Sequence, residues 1–189
     1  MEKTKTKVGK LHLEHCLMNA SGVKCRNKVD LRNLYRGKVK TGAVVCKSCT
    51  RDFRRGNQGT TYYHNKLDRM SINSSGLPNY GYEFYLEMGE ELADLYKSRK
   101  YRYLYDAKKP YIMSVSGMTL DDNIKILGDI FNENKRCSIS GVELNLSCPN
   151  IIGKPQVGYD FTSFEETLRR VYEMDVPRDL NIGIKLPPY

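Results

Sequence analysis

Residues 141–150 read Gly141-Val142-Glu143-Leu144-Asn145-Leu146-Ser147-Cys148-Pro149-Asn150. Apolar and polar side chains alternate from Val142 to Leu146, which is the pattern of a strand with two different faces. Pro149 cannot donate to a ladder, so the strand ends before it. Two amides, Asn145 and Asn150, then flank a hydroxyl and a thiol at the strand tip. A thiol among neutral hydrogen-bonding groups suits a nucleophile or a proton-transfer base. A buried structural cysteine beside a loop is the competing reading.

The rest of the chain repeats this strand-then-polar-turn design. Val8–Leu13 alternates and reads as a short leading strand. Cys16–Asn19 is a small apolar run ending in Ala20-Ser21-Gly22, a strand and a tight turn. Leu31, Leu34 and Tyr35 predict a short helix stopped at Gly37. Ala43–Cys46 is a second buried strand with Lys47-Ser48 at its end. Thr50 to Tyr80 is a long polar loop, and its Ile72–Asn79 run is suited to presenting backbone amides. Helical spacing predicts a helix over 82–98, and 99–109 reads as a connecting loop. Tyr111–Gly117 is a third strand. Thr119 with Asp122 opens a helix as a capping box, striped by Ile124, Leu127 and Phe131. The strand of 142–146, a helix over 163–174 and a strand over 182–186 complete the series.

Strands alternating with helices predict parallel βα units. The polar residues fall at the strand C-terminal ends, where both (β/α)8 barrels and open doubly wound sheets place their ligands. No GxGxxG occurs, so the nicotinamide fingerprint is absent.

Composition narrows the class. With 189 residues, 40% hydrophobic and 28% charged, the chain suits one soluble globular domain. No apolar run approaches a membrane span, and no apolar signal core follows the lysine-rich start, so the expectation is a cytoplasmic protein with reduced thiols. The net charge of +9 is scattered, without a basic-aromatic block, which argues against a nucleic-acid partner. Cys46 and Cys49 form a single CxxC with no second pair to complete a metal site, and period-two alternation would put them on opposite faces. His12, His15 and His64 lack ligand spacing. No metal is expected.

The motifs MNASG (18–22), INSSGLPN (72–79), NLSCPN (145–150), GKPQVGYD (153–160) and KLPPY (185–189) resemble the class 1A dihydroorotate dehydrogenases, which are cytosolic and fumarate-linked. The resemblance implies an α/β fold of (β/α)8 TIM-barrel type. Residues 1–189 would form a single partial barrel domain, with about the first five strands and four helices. It further implies FMN as cofactor, dihydroorotate oxidised to orotate in pyrimidine (UMP) biosynthesis, fumarate as electron acceptor, and a homodimer.

On these motifs Cys148 would be the base that removes the C5 proton of dihydroorotate. Substrate would be held by Lys47, Asn73, Asn145 and Asn150, with the backbone amides of Ser75, Gly76 and Leu77 on its carboxylate. Many members carry Met where Ser75 stands, a change that main-chain contact would tolerate. Ala20, Ser21, Gly22, Lys47, Ser48, Asn145 and Lys185 would contact the flavin, with Lys185 near N1 and O2. A free thiol titrates near about 8.5, so activity is expected to rise toward alkaline pH. The chain departs from the family after its second strand. Members usually continue Arg-Glu-Gly-Asn-Pro-x-Pro-Arg, but Arg54–Thr61 reads RRGNQGTT here. Two alternatives stand beside this reading. One is a truncated, catalytically inactive remnant or interaction module. The other is a pyrimidine-reducing domain like that of dihydropyrimidine dehydrogenase, against which LPN (77–79) and KLPPY weigh.

Overall fold

A computed structural model describes residues 5–98, 100–101, 103–104, 109–148 and 156–188. Its centre is a parallel four-stranded sheet in the order β3 (Val44–Val45), β6 (Tyr111–Val115), β7 (Ile139–Asn145), β8 (Asn181–Lys185). Sequence order and spatial order coincide, as successive βα units require. α1 (Lys28–Tyr35) precedes β3, and α2 (Tyr82–Lys97), α3 (Leu120–Cys137) and α4 (Phe161–Tyr172) run between the successive strands of the sheet.

The helices form because their apolar residues recur at helical spacing, and side chains cap the first turns of α1, α3 and α4. Thr119 Oγ1 accepts from Asp122 N at 3.1 Å, and an Asp122 oxygen accepts from Thr119 N at 3.2 Å, the expected reciprocal box with Asp in place of Glu. Asp121 and Asp122 in the first turn and Lys135 and Arg136 in the last oppose the helix dipole. Asn27 and Asp160 cap α1 and α4 more simply, by accepting from Asp30 N and Ser163 N.

Alternation along the strands separates two faces. Val44, Met113, Val115, Val142 and Leu144 pack with Leu31, Tyr85, Leu92, Ile126, Leu127 and Ile130 of the helices in the main core. Burying one such aliphatic side chain contributes about 1.5–3 kcal/mol. The opposite face carries a smaller cluster of Leu13, Ala43, Val45 and Ile112, with Leu11 against it, beside a cavity of about 240 Å³. Further along this face the residues are polar: Ser114, Glu143, Asn145 and Lys185, with Ser114 paired to Glu143 and Asn145 to Lys185 in the strand register.

Three segments differ from the sequence reading. Residues 8–13 do not form one strand. Gly9, at φ +56°, turns the chain so that β1 (Thr6–Val8) and β2 (Leu11–Leu13) pair antiparallel. The long polar loop contains an antiparallel hairpin of β4 (Tyr62–Asn65) and β5 (Met70–Asn73). Cys16–Asn19 lies beside β3 without joining the ladder. Gly42 N donates to Leu17 O at 2.7 Å, and the Asn19 amide both accepts from Val45 N (3.0 Å) and donates to Val45 O (2.7 Å). A side-chain amide thus takes the backbone groups that a neighbouring strand would have paired. The approach is close enough that a Cβ at Gly42 would collide with the His15 carbonyl oxygen.

Candidate active site

Because the four strands are parallel, their C-terminal ends share one rim, and the polar groups named from the sequence meet there. Asn145 ends β7. Its Oδ1 accepts from Ser147 N (3.1 Å) and Ser147 Oγ (2.9 Å), and its Nδ2 donates to Ser48 Oγ at 3.0 Å. The Ser147 backbone amide can only donate, so it fixes which way the Asn145 amide faces. Ser48 N donates to Ser21 Oγ at 2.6 Å, and the Ser48 hydroxyl lies 2.8 Å from those of both Ser21 and Ser114. Ser114 Oγ donates to Glu143 Oε1 at 2.7 Å, and Lys185 Nζ lies 3.3 Å from the same oxygen. A continuous polar floor therefore spans the Ala20–Gly22 turn and the ends of β3, β6, β7 and β8.

Cys25 ties the first turn to this floor. Its sulfur accepts from Gly22 N at 3.1 Å, and its carbonyl accepts from Lys47 N at 2.9 Å. Burial pushes the Lys47 ammonium below its usual range, and the Lys185 charge adds to this, while the sulfurs of Cys148 and Cys25 act in the opposite sense. Lys47 thus sits within electrostatic reach of Cys148, which is half-buried just beyond the Asn145–Ser147 turn. Asn150 lies outside the described residues.

The residues expected on substrate in the 73–77 segment are built differently. Asn73 ends the exposed β5, and its Oδ1 accepts from Ser75 Oγ at 3.0 Å. Gly76 (φ +72°) and Leu77 (φ +58°) are both left-handed. This costs a non-glycine residue such as Leu77 strain that its surroundings must hold. The surroundings are the 54–57 segment: Arg54 Nε donates to Gly76 O (2.7 Å), Asn57 N to Ser75 O (3.0 Å) and Asn57 Nδ2 to Ser74 O (2.7 Å). Asn57 presses so closely on Gly76 that a Cβ there would overlap it. Within the altered loop, then, Arg54, Gly56 and Asn57 contact residues 74–76. Asn79, fully buried, accepts from Thr50 N and Gly81 N and donates to Leu77 O, which locks the base of the loop.

The CxxC pair behaves otherwise than strand alternation predicts. Cys46 and Cys49 both lie in the main core, because β3 ends at Val45 and period two no longer applies. Burial pushes the Cys46 thiol up to about 12 and that of Cys49 well above its usual range. Neither is a nucleophile near neutral pH. Sequence reasoning missed Glu143, Ser114 and Cys25. For Glu143 the signal was present: it stands two residues before Asn145 and so shares its face.

Comparison with known proteins agrees with this architecture. The family model described as "Dihydroorotate dehydrogenase" matches residues 3–189. A dihydroorotate dehydrogenase (fumarate) of Kluyveromyces lactis is 42% identical over 177 residues, 93% of this chain and 50% of the relative. That of Lachancea kluyveri is 39% identical over 177 residues, with the same 93% and 50% coverage. That of Trypanosoma cruzi is 38% identical over 172 residues, 91% of this chain and 49% of its own. The chain spans about half the length of the curated relatives it matches. A crystal structure of the dihydroorotate dehydrogenase of Eimeria tenella, in complex with ferulenol, shares the fold at a TM-score of 0.65 with 15% identity, covering 97% of this chain and 52% of that one. With the parallel sheet, the polar rim and a family match over nearly every residue in agreement, the chain belongs to the dihydroorotate dehydrogenase family.

Proposed function

We propose that these 189 residues are the first part of a single (β/α)8 barrel domain that oxidises dihydroorotate to orotate with FMN as cofactor and fumarate as electron acceptor. The observation that carries this is the half-buried Cys148 at the tip of β7, with Lys47 in electrostatic reach and Asn145 and Lys185 on the same rim. Relatives bearing the name dihydroorotate dehydrogenase (fumarate) give the reaction its substrate and acceptor.

The residues present fit a flavin. Around Gly22 a Cβ would meet only the Ala20 carbonyl, at 3.8 Å, so the turn is open to a flat ring. Ala20, Ser21, Gly22 and Ser48 would form its packing surface, and the N–H donors of Lys47, Asn145 and Lys185 suit its acceptor edge. FMN, when bound, supplies the acceptor for the hydride that leaves C6 of dihydroorotate. Cys148 takes the C5 proton, so the substrate loses one proton and one hydride in all. Asn73, Asn145 and Asn150 hold the pyrimidine edge, Asn145 as a donor only because Ser147 fills its Oδ1. The backbone amides of Ser75, Gly76 and Leu77 hold the carboxylate, and Lys47 lies between the two ligands. Lys185 balances negative charge that builds at the flavin edge. Nothing in this scheme needs a membrane, and among the described residues no helix is long and apolar enough to cross one. We place the protein in the cytoplasm as a homodimer.

The test is made on the full-length protein incubated with FMN. A yellow protein whose visible band bleaches with dihydroorotate under anaerobic conditions, and recovers on adding fumarate, is the expected result. A protein that stays colourless, or a flavin that dihydroorotate leaves oxidised, overturns the proposal.

A further inference from the structure

The hydrogen-bond directions in the polar floor can be derived, because both ends of the chain of hydroxyls are fixed. At one end a carboxylate only accepts, so Ser114 donates its proton to Glu143. Ser114 then has none to offer Ser48, so Ser48 donates to Ser114 across their 2.8 Å contact. Ser48 in turn has none for Ser21, so Ser21 donates to Ser48. At the other end, Asn145 Nδ2 donates to Ser48, as the Ser147 amide requires. Ser48 Oγ therefore accepts twice, donates once and is saturated. Every proton in the chain points toward Glu143.

We infer that Glu143 is a positioning residue. Its carboxylate sets the direction of the Ser21–Ser48–Ser114 chain, so that Ser21 spends its proton on Ser48 and turns a lone pair, not a donor, toward the bound ligand, beside the Asn145 amide that Ser147 orients. This ligand-facing part rests on the flavin reading above, whereas the direction of the chain does not. The floor then offers a defined pattern. Ser48 gives packing only, Ser21 gives the one lone pair that Ser48 N leaves free, and Asn145 gives an N–H. Lys185, 3.3 Å from the same Glu143 oxygen, gives a second donor beside it. Such a surface selects a ring edge of carbonyl oxygens and unprotonated nitrogens over one that carries N–H groups.

Glu143→Gln removes the constraint, since an amide can present either an acceptor or a donor to Ser114. Ser114→Ala breaks the chain one link further on. Lys185→Met removes the ion pair but leaves the chain intact. The primary readout is water exchange of the Ser21 hydroxyl proton, which is shielded only while it is donated to Ser48, by NMR on the protein without FMN. Exchange should rise about tenfold or more in Glu143→Gln and Ser114→Ala and stay within about twofold of wild type in Lys185→Met. A general loss of stability would instead raise exchange in all three variants. Unchanged exchange in Ser114→Ala, or in a folded Glu143→Gln, overturns the proposal, and so does an equal rise in Lys185→Met. FMN affinity of the full-length proteins, read by quenching of flavin fluorescence, should fall about tenfold in Glu143→Gln. Undiminished affinity there removes the ligand-facing role. If wild type itself fails to bind FMN, the flavin reading falls, while the exchange data still judge the chain of hydroxyls.

Discussion

The parallel sheet and the β4–β5 hairpin handle their polar groups in opposite ways. In the sheet, Ser48, Ser114 and Asn145 are buried, and Ser48 is bonded to the other two across 66 and 97 residues of sequence. In the hairpin, the neighbours Tyr62 and Tyr63 point to opposite faces and are still 61% and 57% exposed, so neither face is covered. Leu67 at its tip is 94% exposed. The hairpin is held at its base by Arg54, Asn57 and Asn79 rather than by a core. The contrast suggests a division of labour. Under the proposed function, the groups that would meet a reacting atom in one geometry stand on the rigid sheet, whereas those that would let a substrate in and out stand on a tethered segment with little packing.

That division can be broken by experiment. The largest effect belongs to the rim. Cys148→Ser keeps shape and hydrogen bonding but replaces the thiol with a far weaker acid. In the full-length, flavin-loaded protein, reduction by dihydroorotate should slow by about 10²–10⁴. Orotate affinity should change little, and Cys137→Ser at the far end of α3 should leave the rate alone. Stopped-flow bleaching with a separate orotate titration decides this, and equal rates for wild type and Cys148→Ser would place the chemistry elsewhere.

Leu144→Ala deletes a fully buried side chain from the sheet's helix-facing side. Urea unfolding should show a loss of about 3–4 kcal/mol, and a loss under about 1 kcal/mol would mean the sheet is not the rigid partner. Asn79→Ala attacks the hairpin's tether. It strips Thr50 N and Gly81 N of their buried acceptor, for a cost of about 2 kcal/mol. Hydrogen exchange should then quicken from Arg54 to Leu77 while β6 and β7 keep their protection.

Lys47 offers a smaller, pH-dependent contrast. Its folded pKa is lowered by burial from its usual 10.5. Between that lowered value and 10.5 the unfolded chain binds more protons, so this group makes stability rise with pH across that window. Lys47→Met should flatten the rise and stabilise the protein below it, in urea titrations at stepped pH. A destabilised neutral-pH protein would show that the ammonium is held by more than its site costs. The smallest effect is Leu67→Ser, within about 0.5 kcal/mol because its side chain packs on almost nothing. A clear loss of stability or a change in oligomeric state would show that the hairpin tip is covered in solution.

Much of this was legible in the chain itself. The alternation of strands and helices, the Thr119–Asp122 cap and the polar turns after β3, β6 and β7 follow from spacing and from local hydrogen-bonding chemistry. Their determinants lie within a few residues of one another. So does the face that Asn145 shares with Glu143, since parity along one strand is a local property. Only the tertiary structure decided the rest, because the partners are far apart in sequence. It placed Asn19 on the edge of β3, where its amide stands in for a strand. It folded 62–73 into a hairpin whose two faces the sequence pattern did not distinguish. It brought Cys46 and Cys49 into one core by ending β3 at Val45. Above all, it put Ser114 against Glu143 and Ser48 against Asn145. The direction of a hydrogen-bond chain depends on which groups lie at its two ends, and no local pattern specifies that.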